Sequence, residues 1–250
     1  MRAGVFDSGI GGISVLKSLL DSKVFSEIIY YGDTARVPYG GKDKDTIIKY
    51  SLEAIEFFAP HCIDILIVAC NTVSAYALEE MRKKAPYPII GVIESGVLAL
   101  QNTLHNKQDP ILIIATQATI HSKAYLLSLK KLGYENIASI ATPLLVPFVE
   151  EGILEGEFLQ QCLHHYFKDL HTHPKAIILG CTHYPFIAKE IKKYFKEEVL
   201  LIHSGEAIVE YLQSKGIYDT HPCTQVQFFS SEDSEKLKKK GEELLKRLSI

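Results

Sequence analysis

The sequence predicts an α/β protein of two pseudo-symmetric domains, each a mostly parallel sheet flanked by helices. Three observations carry the prediction. Short β-branched runs alternate with amphipathic stretches along most of the 250 residues, the pattern of βαβ units. Within those runs the apolar residues are consecutive rather than alternating, as in strands buried on both faces of a parallel sheet. The two halves also resemble each other at an offset near 110 residues, which marks a duplicated unit.

The elements follow in order. "RAGVFDSGIGG" opens with a strand, turns at Gly9 and enters a helix whose apolar positions include Ile13, Leu16 and Leu20. "EIIYYGDTARVPYGG" is a second strand followed by a long loop bearing Pro and Gly. "ILIVACNTVSA" at 65–75 runs unbroken from Ile65 to Val68 and reaches Cys70 where the strand ends. Its counterpart is "AIILGCTHYPFIA": Cys70 falls on Cys181, 111 positions on. "PILIIATQATI" likewise answers the first strand and brings Thr116 onto Asp7 at an offset of 109. The join lies near "IIGVIESGVLALQ", giving a first domain of 1–92 plus 208–250 and a second of 93–207. The carboxyl end has no partner in this repeat. Ser230 with Asp233 three residues on has capping-box spacing for a last helix striped by Leu237, Leu244, Leu245 and Leu248, expected to pack on the first domain.

Composition excludes several classes. A net charge of -3 gives no basic field for nucleic acid, and the lysine run "KLKKKGEELLKR" reads as a solvated helix face. "MRAGVFDSG" lacks the long apolar run of a signal peptide, and no uncharged stretch approaches the ~20 residues of a membrane span, so a cytoplasmic protein is expected. Five cysteines, an odd number without tight spacing, make no disulfide framework. "DSGIGG" has Ser14 where a dinucleotide fingerprint would need glycine, and Asp7 would repel a phosphate. No ligand set for zinc assembles at regular spacing, and His164, His165, His171 and His173 read as a helix and its exposed end. Cys62, Cys162 and Cys223 read as structural.

Facing domains place Cys70 and Cys181 on opposite walls of one cleft, where the active site is expected. That arrangement suits inversion at a tetrahedral carbon, one thiolate removing a proton while the opposite thiol delivers another. A free thiol is mostly protonated at neutral pH and needs help. Thr72 and Thr182 follow the cysteines at expected strand-to-helix turns, where anions bind. His183 stands two residues after Cys181, in reach for proton transfer, and Asp7 ends the first strand, where it could orient an ammonium. Read alone, Asp7 before Gly9 also suits a turn.

"FDSGIGG", "YGDTARVPYG", "ACNT", "LVPFVEEG" and "GCTHYP", in this order, resemble the glutamate racemases of the aspartate/glutamate racemase group over nearly the whole chain. The resemblance implies interconversion of L- and D-glutamate for peptidoglycan by two-base proton transfer, in a homodimer, without pyridoxal phosphate or metal. It implies Cys70 as the base toward D-glutamate, Cys181 toward L-glutamate, and Asp7, Glu150 and His183 as auxiliary titratable groups. The implied substrate contacts are Asp7, Ser8, Tyr39, Gly40, Asn71, Thr72, Thr182 and His183, with Thr116 and Thr119 as further carboxylate ligands. Val73, Ser95 and His203 depart from the commoner pattern without touching the two bases. Three other readings stay open: a racemase of another small acid such as aspartate, a silent binding protein on the same fold, and a redox protein with a Cys70–Cys181 disulfide.

Overall fold

The computed structural model describes residues 1–217 and 220–248. β1 (Arg2–Asp7) leads through a glycine-rich turn into α1 (Ile13–Ser22), and β2 (Glu27–Gly32) through two 3₁₀ turns into α2 (Lys44–Phe58). β3 (Ile65–Val68) is followed by α3 (Asn71–Tyr76) and α4 (Leu78–Lys84), and β4 (Ile89–Gly91) by α5 (Val92–Thr103). The second half holds β5 (Ile111–Ala115), α6 (Gln117–Ser122), α7 (Ala124–Lys131), β6 (Ile137–Ala141), α8 (Leu145–Glu150) and α9 (Glu157–Phe167). It closes with β7 (Ala176–Gly180), α10 (Ala188–Tyr194), β8 (Leu200–His203) and α11 (Ser204–Ser214). β9 (Gln225–Ser230) and α12 (Ser234–Arg247) finish the chain.

Among the described residues every strand pair is parallel. The first sheet has the order β4-β3-β1-β2-β9 and the second β6-β5-β7-β8. Read from the other edge, the second sheet is β8-β7-β5-β6, which repeats β4-β3-β1-β2 strand for strand. The repeat seen between Cys70 and Cys181 is therefore a repeat of topology. β9 is the strand without a counterpart, as the unmatched carboxyl end leads one to expect.

Consecutive apolar residues serve opposite faces of the first sheet. Val5 and Ile67 join a core with Ile13, Leu16 and Leu237, while Phe6, Leu66 and Val68 join another with Phe58 and Met81. In the second sheet, Ile114 and Leu179 face Leu163 and Ile191, while Ile113 and Ile178 face Leu100 and Leu129. Two helices cross between the units. Ile93, Val97 and Leu100 of α5 pack under the second sheet, and Ile208 and Leu212 of α11 return to the core beneath the first. α5 and α11 pack against each other at the junction.

The carboxyl-terminal helix starts later than the capping-box spacing suggests. Ser230 is still paired with Gly32 in the sheet, and Asp233 caps α12 by accepting from the Lys236 amide at 3.0 Å. Leu237 and Leu244 are buried and Leu245 partly so, against the first sheet's core. Of the cysteines read as structural, Cys162 is buried, but Cys62 and Cys223 are exposed and contribute nothing to a core. All four histidines at 164–173 are exposed. Ser95 stays within α5 and donates to the Val92 carbonyl at 2.9 Å, so the helix leaving β4 is continuous. His203 pairs with Glu206 at 2.9 Å in the first turn of α11.

Candidate active site

The carboxyl ends of β1, β3, β5 and β7 meet between the two units, where an open α/β sheet places its ligands. A cavity of ≈ 170 Å³ lies there. Ser8, Tyr39, Gly40, Cys70, Asn71 and Thr72 line it from one side, and Thr116, Cys181, Thr182 and His183 from the other. Cys70 and Cys181, each 5% exposed, are free thiols at equivalent strand ends facing the same space.

The surroundings of the two thiols differ. Cys70 donates to Ser8 Oγ at 3.5 Å and receives the Val73 amide, with Asp7 close behind. Burial, reinforced by the Asp7 charge, pushes this thiol up to about 12. Cys181 lies 3.7 Å from His183 Nδ1, and His183 Nε2 lies 2.7 Å from Glu150 Oε1. Burial by itself would lower the imidazole's pKa; the hydrogen bonds to Cys181 and Glu150 outweigh it and carry His183 up to about 10. Burial would raise Glu150, but the His183 bond and charge, with Lys240 beyond, hold its carboxyl below the usual range. One thiol is thus backed by an imidazole and a carboxylate, the other by a hydroxyl and a carboxyl group.

Asp7 is fully buried and stands behind the cavity wall. It accepts from the Gly9 amide at 2.9 Å and from Thr182 Oγ1 at 3.3 Å. Burial raises its pKa, opposed by His183 and by the Gly9 and Gly12 amides. A turn role and an electrostatic role are therefore held together at this one residue.

Hydroxyls close the cleft elsewhere. Thr72 Oγ1 is 2.9 Å from Thr116 Oγ1, which is 2.9 Å from Thr119 Oγ1. Thr119 does not line the cavity and braces Thr116 from behind. Asn71 lines the cavity, yet its amide is already engaged across the junction. Oδ1 accepts from Tyr125 Oη at 2.7 Å, and Nδ2 donates to Ser204 Oγ at 3.3 Å. Tyr39 donates its hydroxyl to Asp33, whose carboxylate also pairs with Arg36 at 2.7 Å.

Glycine is required at two contacts between the units. A Cβ at Gly11 would fall 2.4 Å from Thr182 Oγ1 and 2.5 Å from His183 Nδ1, and one at Gly40 would fall 2.6 Å from Thr116 Cβ. In "DSGIGG" it is Gly11 that allows the close approach of the His183 loop, while Gly12 lies against Asp7 and Tyr30. Thr182, expected at a helix start, lies before a 3₁₀ turn, Tyr184–Ile187, so no α-helical amino terminus faces the cavity there. Among the described residues no three His, Cys, Asp or Glu stand close enough together to hold a metal ion.

The family model for Asp/Glu/Hydantoin racemases matches residues 20–212. The chain belongs to this family. It is 60% identical to the glutamate racemase of a Nitratiruptor species over 240 residues, 96% of this chain and 94% of that one. The crystal structure of glutamate racemase from Campylobacter jejuni superposes with a TM-score of 0.97 at 53% identity, covering 98% of each chain. That of the Francisella tularensis enzyme, in complex with D-glutamate, has a TM-score of 0.86 at 34% identity, covering 98% of this chain and 93% of that one. The chain is an amino-acid racemase, an isomerase. Its two-sheet α/β fold is the one those structures share.

Several residues of this racemase's site escaped the sequence reading. Val37, Pro38, Gly41, Gln117, Pro143, Val146 and Pro147 also line the cavity. Val146 and Pro147 lie inside the "LVPFVEEG" motif, from which only Glu150 was taken, and Pro143 lies just before it. Tyr125, Ser204 and Lys240 touch candidate residues from other elements, and nothing in their local sequence points to those contacts. No helix among the described residues is long and apolar enough to cross a membrane.

Proposed function

We propose that this racemase interconverts L- and D-glutamate by two-base proton transfer between Cys181 and Cys70, with no pyridoxal phosphate, supplying D-glutamate for peptidoglycan. The observation that carries the reading is the pair of buried thiols at equivalent strand ends on one cavity. Similarity to glutamate racemases over nearly the whole chain, one of them solved with D-glutamate, supports the substrate.

With L-glutamate bound, Cys181 as thiolate takes the Cα proton; the Cα–H bond breaks and an S–H bond forms. Cys70 as thiol releases its proton to the opposite face of Cα and is left as thiolate. The product is D-glutamate, and the reverse reaction exchanges the roles. His183, held by Glu150 and protonated near neutral pH, stands as a cation and proton donor at the Cys181 side. Asp7 stands behind Cys70 with its pKa raised by burial and answers His183 across the cleft. The hydroxyls of Thr72 and Thr116 are placed to meet a substrate carboxylate, and Ser8, Tyr39, Gly40, Asn71 and Thr182 complete the wall. Domain boundaries at 92/93 and 207/208, a homodimer and a cytoplasmic location complete the proposal; the first rests on the crossings at α5 and α11, the second on family resemblance, and the third on the lack of a long uncharged apolar stretch in the sequence.

Proton NMR in deuterated water, with either glutamate enantiomer and no added cofactor, tests this. The Cα proton should exchange as optical rotation decays, and Cys70→Ser and Cys181→Ser should each abolish racemisation while circular dichroism is unchanged. Full activity in either variant would end the two-base reading. Faster turnover of aspartate would replace the substrate, and inertness toward both amino acids would leave a silent binding protein.

A further inference from the structure

Lys240 belongs to the lysine run of α12, but its half-exposed side chain turns back onto Glu150. Its Nζ donates to the main-chain carbonyl of Glu150 at 2.8 Å and to Glu150 Oε2 at 3.3 Å. Glu150 is the last residue of α8, so the first contact also satisfies one of the carbonyls a helix leaves open at its end. α12 is itself fixed: Leu237 and Leu244, three before and four after Lys240, are buried in the first sheet's core. Gly241 brings the helix close to Ile13, where a Cβ would lie 3.0 Å from Cδ1. A continuous line of contacts therefore runs from a helix anchored on the first sheet, through Lys240 and Glu150, to His183 and Cys181 at the end of β7.

We propose that Lys240 is a positioning residue for the reaction: by gripping Glu150 at two oxygens it fixes the carboxylate that aims the His183 ring at Cys181. The proposal rests on the reading of Cys181 as a base. Its physical ground is that Glu150 has one oxygen on His183 and the other on Lys240, and the residue lines two open recesses beside α12. Without a cation there, the carboxylate is free to rotate toward water or toward Lys236. A His183 ring whose Nε2 contact loosens loses its fixed orientation toward Cys181. Besides His183, Lys240 and the buried Tyr30 hydroxyl, the ionisable groups near Glu150 are those lining the recesses: Glu151, Glu232, Asp233, Lys236, Glu243 and Arg247. They carry both signs, and neither hydrogen bond to Glu150 described above comes from them.

Lys240→Met and Lys240→Arg, made in the full chain, test the proposal. The readouts are kcat and KM for glutamate against pH and the melting temperature. For Lys240→Met, kcat should fall roughly three- to tenfold with KM within about twofold, since the cation touches no substrate. The acid limb of kcat/KM should move up by about 0.5 to 1 pH unit, because removing a cation raises the carboxylate's pKa and lets Glu150 protonate earlier as pH falls. Lys240→Arg should restore both. A half-exposed ion pair adds little to stability, so the melting temperature should stay within about 3 °C. A wild-type profile in Lys240→Met, an equal loss in both variants, or a loss that follows a large fall in melting temperature would each overturn the proposal. Cys181→Ser separates this from the underlying reading. If it stays active, both fall; if it is inactive while Lys240→Met is normal, only the role of Lys240 falls.

Discussion

Replacing Glu150 with glutamine keeps the shape of the side chain and removes its charge, and the consequence for His183 follows from the contacts. The two groups meet at 2.7 Å, with side chains 4% and 25% exposed. At an effective dielectric near 20, a pair of unit charges about 4 Å apart interacts by roughly 4 kcal/mol. The opposing charge of Lys240 at 3.3 Å and the partial exposure of Glu150 reduce this. About 2 kcal/mol remains, on the order of 1.5 pH units. The His183 midpoint, about 10 in the intact protein, should therefore fall by roughly 1 to 2 units in Glu150→Gln. A raised histidine pKa contributes stability that is fully present below the unfolded value near 6.5 and is lost as pH rises through the folded value. The intact protein should lose stability progressively from about pH 6.5 to 10, and the variant over a narrower window and by less. Imidazole NMR titration, with the His183 signal identified by its absence in His183→Asn, reads the midpoint. Urea unfolding across that range reads the stability. An unmoved midpoint would refute Glu150's share of a shift to which Cys181 also contributes.

Gly40→Ala should raise KM about tenfold or more, because the new methyl meets Thr116 Cβ at 2.6 Å and wedges the cavity open; initial rates over a substrate series check this. Tyr125→Phe should cost about 1 to 3 kcal/mol by stranding the buried Asn71 Oδ1 without its donor, seen as a fall of several degrees in melting temperature. Thiol labelling followed by mass spectrometry should modify Cys62 and Cys223 first, and glutamate should slow the later reaction of Cys70 and Cys181 but not that of Cys162.

The doubled sheet was legible because parallel strands buried on both faces leave unbroken apolar runs, and because duplication kept a cysteine at the same strand end in each half. Cys70, Cys181 and His183 were legible for a related reason: a polar cluster directly after such a run has to emerge at the sheet's carboxyl edge. Asp7 is at the end of its strand as expected and Thr119 in the first turn of α6, but neither lines the cavity, since position along an element does not say which way a side chain turns. Asn71 shows another limit. Its amide is held by Tyr125 and Ser204, 54 and 133 positions away, and neither has a local signature. Ser230 failed as a cap because pairing with β2 extends the strand through it, and such pairing is a long-range fact. Lys240 was hidden by its neighbours, since a lysine reaching inward looks in sequence like those on either side.

The return of the chain to its first sheet fixes the order in which the enzyme can be completed during synthesis. β1 to β4 and the whole second sheet leave the ribosome before β9 and α12, yet β9 forms an edge of the first sheet. Until it arrives, β2 is an unprotected edge open to pairing with another nascent chain. Both cysteines, His183 and Glu150 are already translated at that stage, but the lysine that braces them is not. An unfinished chain thus holds two thiols without the last contact of the Cys181 side, and completion of that edge and arrival of that contact are a single late event.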